Sequence, residues 1–506
     1  MTMRIPINKL LLCACLISFL FLETGCKKAL DINYNPNVPQ LAQGNPSLIF
    51  PSAVLATTAK VGGDLAIVGG MWSQYFTQAS LGEQYTDVDS YNLNANDGFV
   101  SGPFSSWEVL FESGLKNYAF VQQKASEAGD WNFYLMGTVM KVYTTTILVD
   151  LYDQIPYSEA LLGTVNLQPK FDDGFTIYQE LLDSLNLALG KDFTLSTNTD
   201  PGTQDLVFGG NMNSWIAFAN TLKLKMYLRM INAHSDVATA GITALYASNP
   251  VFLTTDAAVT NFTDAPGLDN PQYEQDKRNL NTASNIKAST TFVSWLTDNG
   301  DPRIIYYYQS ASPTSINQGD FGATNANYQA APVYRNIDHT AATDPVEFLS
   351  AAESYFLQAE ADTRFFGGLN AKSLYEQGLM SAFAATGDDA TTFIAPGGVY
   401  EWGNEKEGGV VLDPIAQIIR QKWASCAFGG HGIEAFFEKN RTGFPATSPV
   451  YSTDPAYVPG QLVVVKNSVL PTGLMPKRFV FPISETSVNK NAPAAVPITV
   501  PTWWGK

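Results

Sequence analysis

Apolar positions recur at helical spacing over several long stretches of this chain. Residues 104–128 carry Phe104, Trp107, Leu110, Phe111, Leu115 and Tyr118 three or four apart, the repeat that lays one stripe along a helix. Residues 131–152 continue the pattern with Phe133, Met136, Met140, Tyr143, Ile147 and Leu151, and residues 174–190 predict a third helix. After Asn213, a candidate N-cap, Trp215, Phe218, Leu222, Met226 and Met230 form one face; Leu224, Tyr227 and Ile231 form another. Such a helix is expected to be buried on both sides.

Residues 345–366 and 371–385 predict a helical hairpin, with Gly367 and Gly368 ending the first helix and Asn370 starting the second. Ala351, Ala352, Ala359, Ala361 and Ala371 permit close approach, so the segment resembles one tetratricopeptide-type hairpin, although no 34-residue period is sustained along the chain. Residues 413–426 and 431–440 predict another pair. Strand signals are few, at Leu462 to Val465 and Phe479 to Phe481. Long polar loops at 191–211, 261–285, 309–345, 386–412 and 444–475 separate the helices, and loops of that length usually bind something or stay irregular. The expected fold is mainly α, built from irregular helix pairs, long loops and few short strands.

The N-terminus differs from the rest. Arg4 and Lys9 precede an apolar run from Leu10 to Leu22 broken only by Ser18. The run is shorter than the roughly 20 residues that span a bilayer, and it predicts a signal peptide over residues 1–25. Leu22-Glu23-Thr24-Gly25-Cys26 resembles a bacterial lipobox, which makes Cys26 the expected lipid anchor. Asp31 to Gln40 is rich in Asn and Pro, so residues 26–45 read as an anchor and extended tether, and residues 46–506 as a single domain. Of the four cysteines, cleavage removes Cys13 and Cys15 and lipidation consumes Cys26. Cys426 is left alone beside Trp423 and Phe428 as an expected apolar filler.

The formal net charge is −17, and the signal peptide contributes Arg4, Lys9 and Glu23 to it. A surface this acidic repels nucleic acid and polyanions, and no basic run lies beyond Lys27-Lys28. Charged residues make up only 15% of the chain against 12% aromatic, which suits the handling of neutral or cationic polar ligands.

No catalytic constellation stands out. His234, His339 and His431 have no metal partner at HExxH-type spacing, and there is no Gly-x-Ser-x-Gly elbow or Walker A. No catalytic residue, metal ligand or cofactor is expected. With 47 acidic residues a glycosidase-type carboxylate pair would arise by chance, so a lipid-anchored surface glycoside hydrolase or peptidase stays as the alternative. Asp87 and Asp89, near Asn92, Asn94, Asn96 and Asp97, read as a solvated loop sooner than as a calcium site. For binding, the material is aromatic rings interleaved with amides, since rings stack on sugar faces while amides bond hydroxyls. On that ground the candidate ligand-binding residues are Trp72, Tyr75, Gln78, Tyr85, Tyr91, Asn94, Tyr273, Tyr328 and Tyr334.

Motifs spread along almost the whole chain point the same way. Ile147-Leu148-Val149-Asp150-Leu151-Tyr152-Asp153-Gln154-Ile155-Pro156-Tyr157-Ser158-Glu159-Ala160, Trp215 through Arg229, Asp301-Pro302-Arg303, Ser354 through Asp362, Arg420-Gln421-Lys422-Trp423, Lys439 through Pro445 and Pro476 through Pro482 follow one another in order. With the lipobox, they resemble the SusD/RagB family of nutrient-binding outer-membrane lipoproteins. Lys225 stands where that family has arginine, and Asp153-Gln154 replace its Gly-Asp. The resemblance implies a SusD-like helical scaffold without enzymatic activity. It implies a protein held to the outer membrane at the cell surface that captures an oligosaccharide or a peptide. It also implies a SusC-like TonB-dependent transporter barrel as partner. The motif residues themselves read as structural: Arg441 and Arg478 lie in turns where a guanidinium bridges carbonyls, and Glu353 and Glu360 share one helix face. The resemblance therefore transfers no binding residue.

Overall fold

Side chains set most of the helix boundaries. In a computed structural model, residues 44–506 are described except Leu81, Thr199, 281–284, Ala326 and 331–339; Cys26 with the signal and most of the tether, Tyr334 and His339 lie outside the described residues. The helices of eight residues or more are α1 (Pro46–Ala59), α2 (Leu65–Trp72), α3 (Lys116–Ala128), α4 (Trp131–Tyr152), α5 (Gly174–Leu189) and α6 (Met212–Met230). They continue with α7 (Ser235–Ala247), α8 (Thr290–Asp298), α9 (Ala351–Phe365), α10 (Ala371–Ala384), α11 (Pro414–Ser425) and α12 (Gly432–Thr442). Asp130, Asp173, Asn211, Ser289, Ser350 and Asp413 each accept a backbone N–H of the first turn that follows, satisfying donors a helix start leaves free. Gly129 and Gly443 end α3 and α12 in the left-handed conformation.

The fold is mainly α, as expected, and Pro46–Lys506 is one compact unit. The pairs α3–α4, α6–α7 and α9–α10 pack side by side, and α9 also packs on α6 and α11. In the α9–α10 hairpin a methyl on Gly378 would sit 2.6 Å from the Phe356 ring, so the close approach requires glycine there. Among the described residues, strands come as four two-stranded antiparallel ribbons: β1 (Phe76–Gln78) with β5 (Ile286–Ala288), β2 (Gln154–Pro156) with β3 (Phe171–Asp173), β4 (Ala257–Val259) with β6 (Val346–Leu349), and β7 (Lys406–Glu407) with β8 (Val410–Val411).

Four expectations need correction. Residues 346–349, read as the start of the hairpin helix, form β6, because Ser350 caps the helix after them. Leu462–Val465 and Phe479–Phe481 are not strands; Leu462, Val463, Val465, Phe479 and Phe481 are buried, but the backbones find no ladder beyond a single bridge from Leu462 to Thr447. Asn211, not Asn213, caps α6. Phe104 precedes its helix and is 79% exposed.

A buried network of charges ties α4, α6, α9, α11 and α12 together. Arg229 reaches Asp150 at 3.1 Å, Glu434 at 2.9 Å and Glu438 at 2.7 Å. Lys225 bridges Glu353 (3.0 Å) and Glu434 (2.7 Å), and Lys422 bridges the same two at 3.1 and 3.0 Å. His431 Nε2 lies 2.8 Å from Glu353, and Arg441 holds Glu360 at 2.6 Å. Most of these side chains belong to the motifs that carried the resemblance, so the motifs encode the frame. Arg478 does bridge two carbonyls, of Tyr152 and Phe479. Cys426 is buried and unpaired.

The network has an acid signature. Burial raises the Glu434 and Glu438 carboxyls, but facing cations win and hold both at about 2, below the ordinary unfolded value near 4.3. Their contribution is lost as pH falls from about 4 toward 2. Burial instead raises Asp89 and Asp150 to about 6 and Glu405 to about 7, so protonation of these three favours the folded chain as pH falls from about 7 toward 5. Stability should therefore peak near pH 5, with denaturant midpoints lower at pH 7 and at pH 3. A midpoint that climbs steadily from pH 5 to 7 would contradict the burial of those three acids.

Candidate ligand cleft

The candidate site forms where two π-helical turns face each other. Lys60–Asp64 joins α1 to α2, and Tyr273–Arg278 follows Pro271 in a long loop. Such turns push a carbonyl and side chain out of helical register and recur at functional sites. They approach closely: a methyl on Gly63 would stand 3.2 Å from Gln275 Oε1 and 3.5 Å from Pro271. Segment 84–104 closes the third side, leaving an open cleft of about 650 Å³.

Its lining combines carboxylates, amides and two aromatic rings. Asp64, Asp87, Asp97 and Glu274 supply the acids, Gln84, Gln275 and Asn279 the amides, and Phe99 and Phe104 the rings. Lys60 is paired with Asp64 at 2.9 Å and also donates to the Phe104 carbonyl, which fixes the loop bearing that exposed ring. Asn92 Nδ2 donates to Asp87 (2.9 Å), the Phe99 N–H donates to Asp97 (2.9 Å), and the Gly267 N–H donates to Glu274 (2.9 Å). Burial raises the Asp64 carboxyl against the pull of Lys60. Burial also raises Asp97; the Phe99 N–H opposes the shift, and repulsion from Asp87 and Asp64 adds to it. Glu274 is raised by burial and by Asp269.

The residues singled out from the sequence mostly frame this cleft without facing it. Trp72, Tyr75, Gln78, Tyr85, Tyr91 and Tyr273 are at most 2% exposed, so they have no surface to offer a ligand. Trp72 Nε1 donates to the Val88 carbonyl at 3.0 Å while its ring packs on Phe436 and Phe479. Tyr75 donates to the Trp423 carbonyl. Gln78 Nε2 donates to the Asn285 carbonyl at 2.8 Å and its Oε1 accepts the Tyr85 N–H at 2.8 Å, holding the start of the 84–104 segment. The Tyr85 ring lies under Phe99, 6.1 Å between centroids, and the Tyr273 ring lies 5.5 Å from the Arg278 guanidinium. Asn94 is exposed but accepts the Asn96 N–H, and half-buried Tyr328 gives its carbonyl to Lys287. Neither lines the cleft. Asp89 is buried, accepting from Thr77, the Gln78 N–H and Gln318, so it is a tie between segments and not part of a solvated loop. The sequence reading missed Lys60, Asp64, Glu274, Gln275 and Asn279 as cleft residues. The sole available signal was the long 261–285 loop.

Another, smaller groove of about 380 Å³ is lined by Trp107, Phe111, Leu161 and Glu485, among others. Trp107 is 4% exposed there and packs on Tyr152 as core.

The sequence model of a SusD-like family described as "starch-binding associating with outer membrane" matches residues 40–463. The chain belongs to the SusD-like family. Solved structures similar to it include a SusD homolog from Bacteroides uniformis ATCC 8492 (TM-score 0.68, 19% identity, covering 90% of this chain and 99% of that one). A chitin-binding SusD homolog from Flavobacterium johnsoniae gives TM-score 0.67 at 19% identity, covering 90% and 98%. A SusD/RagB family protein from Bacteroides thetaiotaomicron VPI-5482 gives 0.68 at 18%, covering 92% and 100%. At these identities the likeness is one of fold. Among curated proteins none matches the chain.

Proposed function

We propose that this SusD-like chain is a lipid-anchored surface protein that captures an oligosaccharide in the cleft between the two π-helical turns and passes it to a TonB-dependent outer-membrane transporter, without cleaving it. The observation that carries the reading is the cleft itself. A volume of about 650 Å³ suits a few sugar units, and rings and amides line it together. Membership of a family described as starch-binding and outer-membrane-associated supports it, as does the chitin-binding relative of the same fold. Handover requires release inward, which favours micromolar affinity, about −8 kcal/mol. The anchor is Cys26, behind a signal peptide of residues 1–25.

Two measurements test this. In cell fractionation, Cys26→Ala should move the protein out of the membrane fraction while its unfolding curve stays that of the wild type. Persistence in the membrane fraction would mean another anchor. Screening the purified protein against glycans and peptides should then return an oligosaccharide that is recovered intact. Recovery of cleaved ligand would replace the binding reading with a hydrolase, and peptide hits alone would replace the ligand class.

A further inference from the structure

We propose that the ligand of this cleft is a positively charged saccharide, an oligomer of amino sugars bearing free ammonium groups. The inference rests on the saccharide reading above and adds the charge. The cleft presents four carboxylates, Asp64, Asp87, Asp97 and Glu274, against one lining ammonium, Lys60. That ammonium is already committed, to Asp64 at 2.9 Å and to the Phe104 carbonyl. Arg278 stands 3.6 Å from Glu274, but it also faces Asp264 and Asp269, so three carboxylates share one guanidinium. Asp87 and Asp97 receive hydrogen bonds from neutral donors, the Asn92 amide and the Phe99 N–H, and no ion pair of the described residues includes either.

The charge is concentrated where it acts. Asp97 feels repulsion from Asp87 and Asp64, so the three acids already interact across the cleft wall. A neutral saccharide filling this space would replace water at the carboxylates with hydroxyl donors but would leave their negative charges uncompensated. An ammonium group seated there would relieve both the desolvation and the mutual repulsion. The remaining lining matches the rest of an amino sugar. Exposed Phe104 offers a face to a pyranose ring and to a cation, and Gln84, Gln275 and Asn279 offer donors and acceptors to hydroxyls.

The test is calorimetric titration of the purified mature protein at about pH 6, where a sugar amine is protonated and most carboxylates are ionised. The probes are the tetramer of glucosamine, the tetramer of N-acetylglucosamine and a lysine-containing tetrapeptide. The proteins are wild type, Asp87→Asn and Asp97→Asn, each with its unfolding curve recorded. The glucosamine tetramer should bind at least about tenfold more tightly than its acetylated counterpart at low salt, and added salt should erase the preference. Asp87→Asn and Asp97→Asn should each lose most of the preference. Equal or tighter binding of the acetylated tetramer overturns the charge inference and leaves the saccharide reading standing. A preference that survives in both variants overturns the assignment to this cleft. Binding of the peptide alone, or of no probe, overturns the charge inference, and peptide binding alone overturns the saccharide reading with it.

Discussion

Replacing Arg229 by methionine is expected to destabilise the protein by about 3–5 kcal/mol. The methionine fills nearly the same volume but leaves Asp150, Glu434 and Glu438 without the guanidinium that now reaches all three within 3.1 Å. Removing one partner of a buried ion pair strands the other charge in a medium that solvates it poorly. Here the substitution takes from Asp150 the one cation that pairs with it among the described residues and thins the pairing of Glu434 and Glu438, which keep Lys225, Lys422 and Arg441; the guanidinium also stacks 4.9 Å from the Trp504 ring and 5.2 Å from Phe437. Denaturant unfolding measures the loss. The control is Lys124→Met, whose partner Glu127 is exposed, and its midpoint should not move. An Arg229→Met midpoint as high as that of the control would mean that Lys225 and Lys422 suffice for the network.

A single methyl at Gly69 should be nearly as damaging. Helices α2 and α12 cross with their backbones in contact: a Cβ on Gly69 would stand 2.1 Å from the Ile433 nitrogen and 2.5 Å from the Gly432 carbonyl carbon. One on Gly432 would stand 2.6 Å from the Gly70 nitrogen. A side chain in the way turns to another rotamer, but a backbone has to move with its helix, so the cost lies at or above the upper end of the usual 1–3 kcal/mol for overpacking, about 3 kcal/mol or more. Gly98→Ala, with nothing within 4 Å of the new methyl, should unfold like the wild type. If Gly69→Ala and Gly98→Ala share one unfolding midpoint, the helices do not cross this closely.

The frame was legible in the sequence wherever a helix has one buried stripe and a cap. Helix α4 runs over the residues its periodicity predicted, and α5, α10, α11 and α12 fall within a few residues of theirs. Helix α2 escaped because Leu65 to Trp72 is buried on every side, so no period distinguishes it. The short strands escaped because a three-residue ribbon holds by its partner, which lies far along the chain, as Phe76 does opposite Ala288. The cleft was legible only as composition. Aromatic residues among amides mark segments that border the cleft, but Tyr85 and Tyr273 turn inward, and a sequence does not record which way a ring points. The acids of the cleft were visible as Asp87 and Asp97. Their meeting with Glu274 depends on two π-helical turns that no periodicity announces.

Buried anchors and exposed cleft residues divide between them two tasks that a small binding site usually combines. Trp72, Tyr75 and Gln78 grip backbone carbonyls, which any replacement amino acid at those partners would still supply. Gln84, Asp87 and Asn279, by contrast, are exposed on the cleft rim. The rim is thus interchangeable: its chemistry is open to rewriting by substitution at these few positions, with the anchors left to carry the shape.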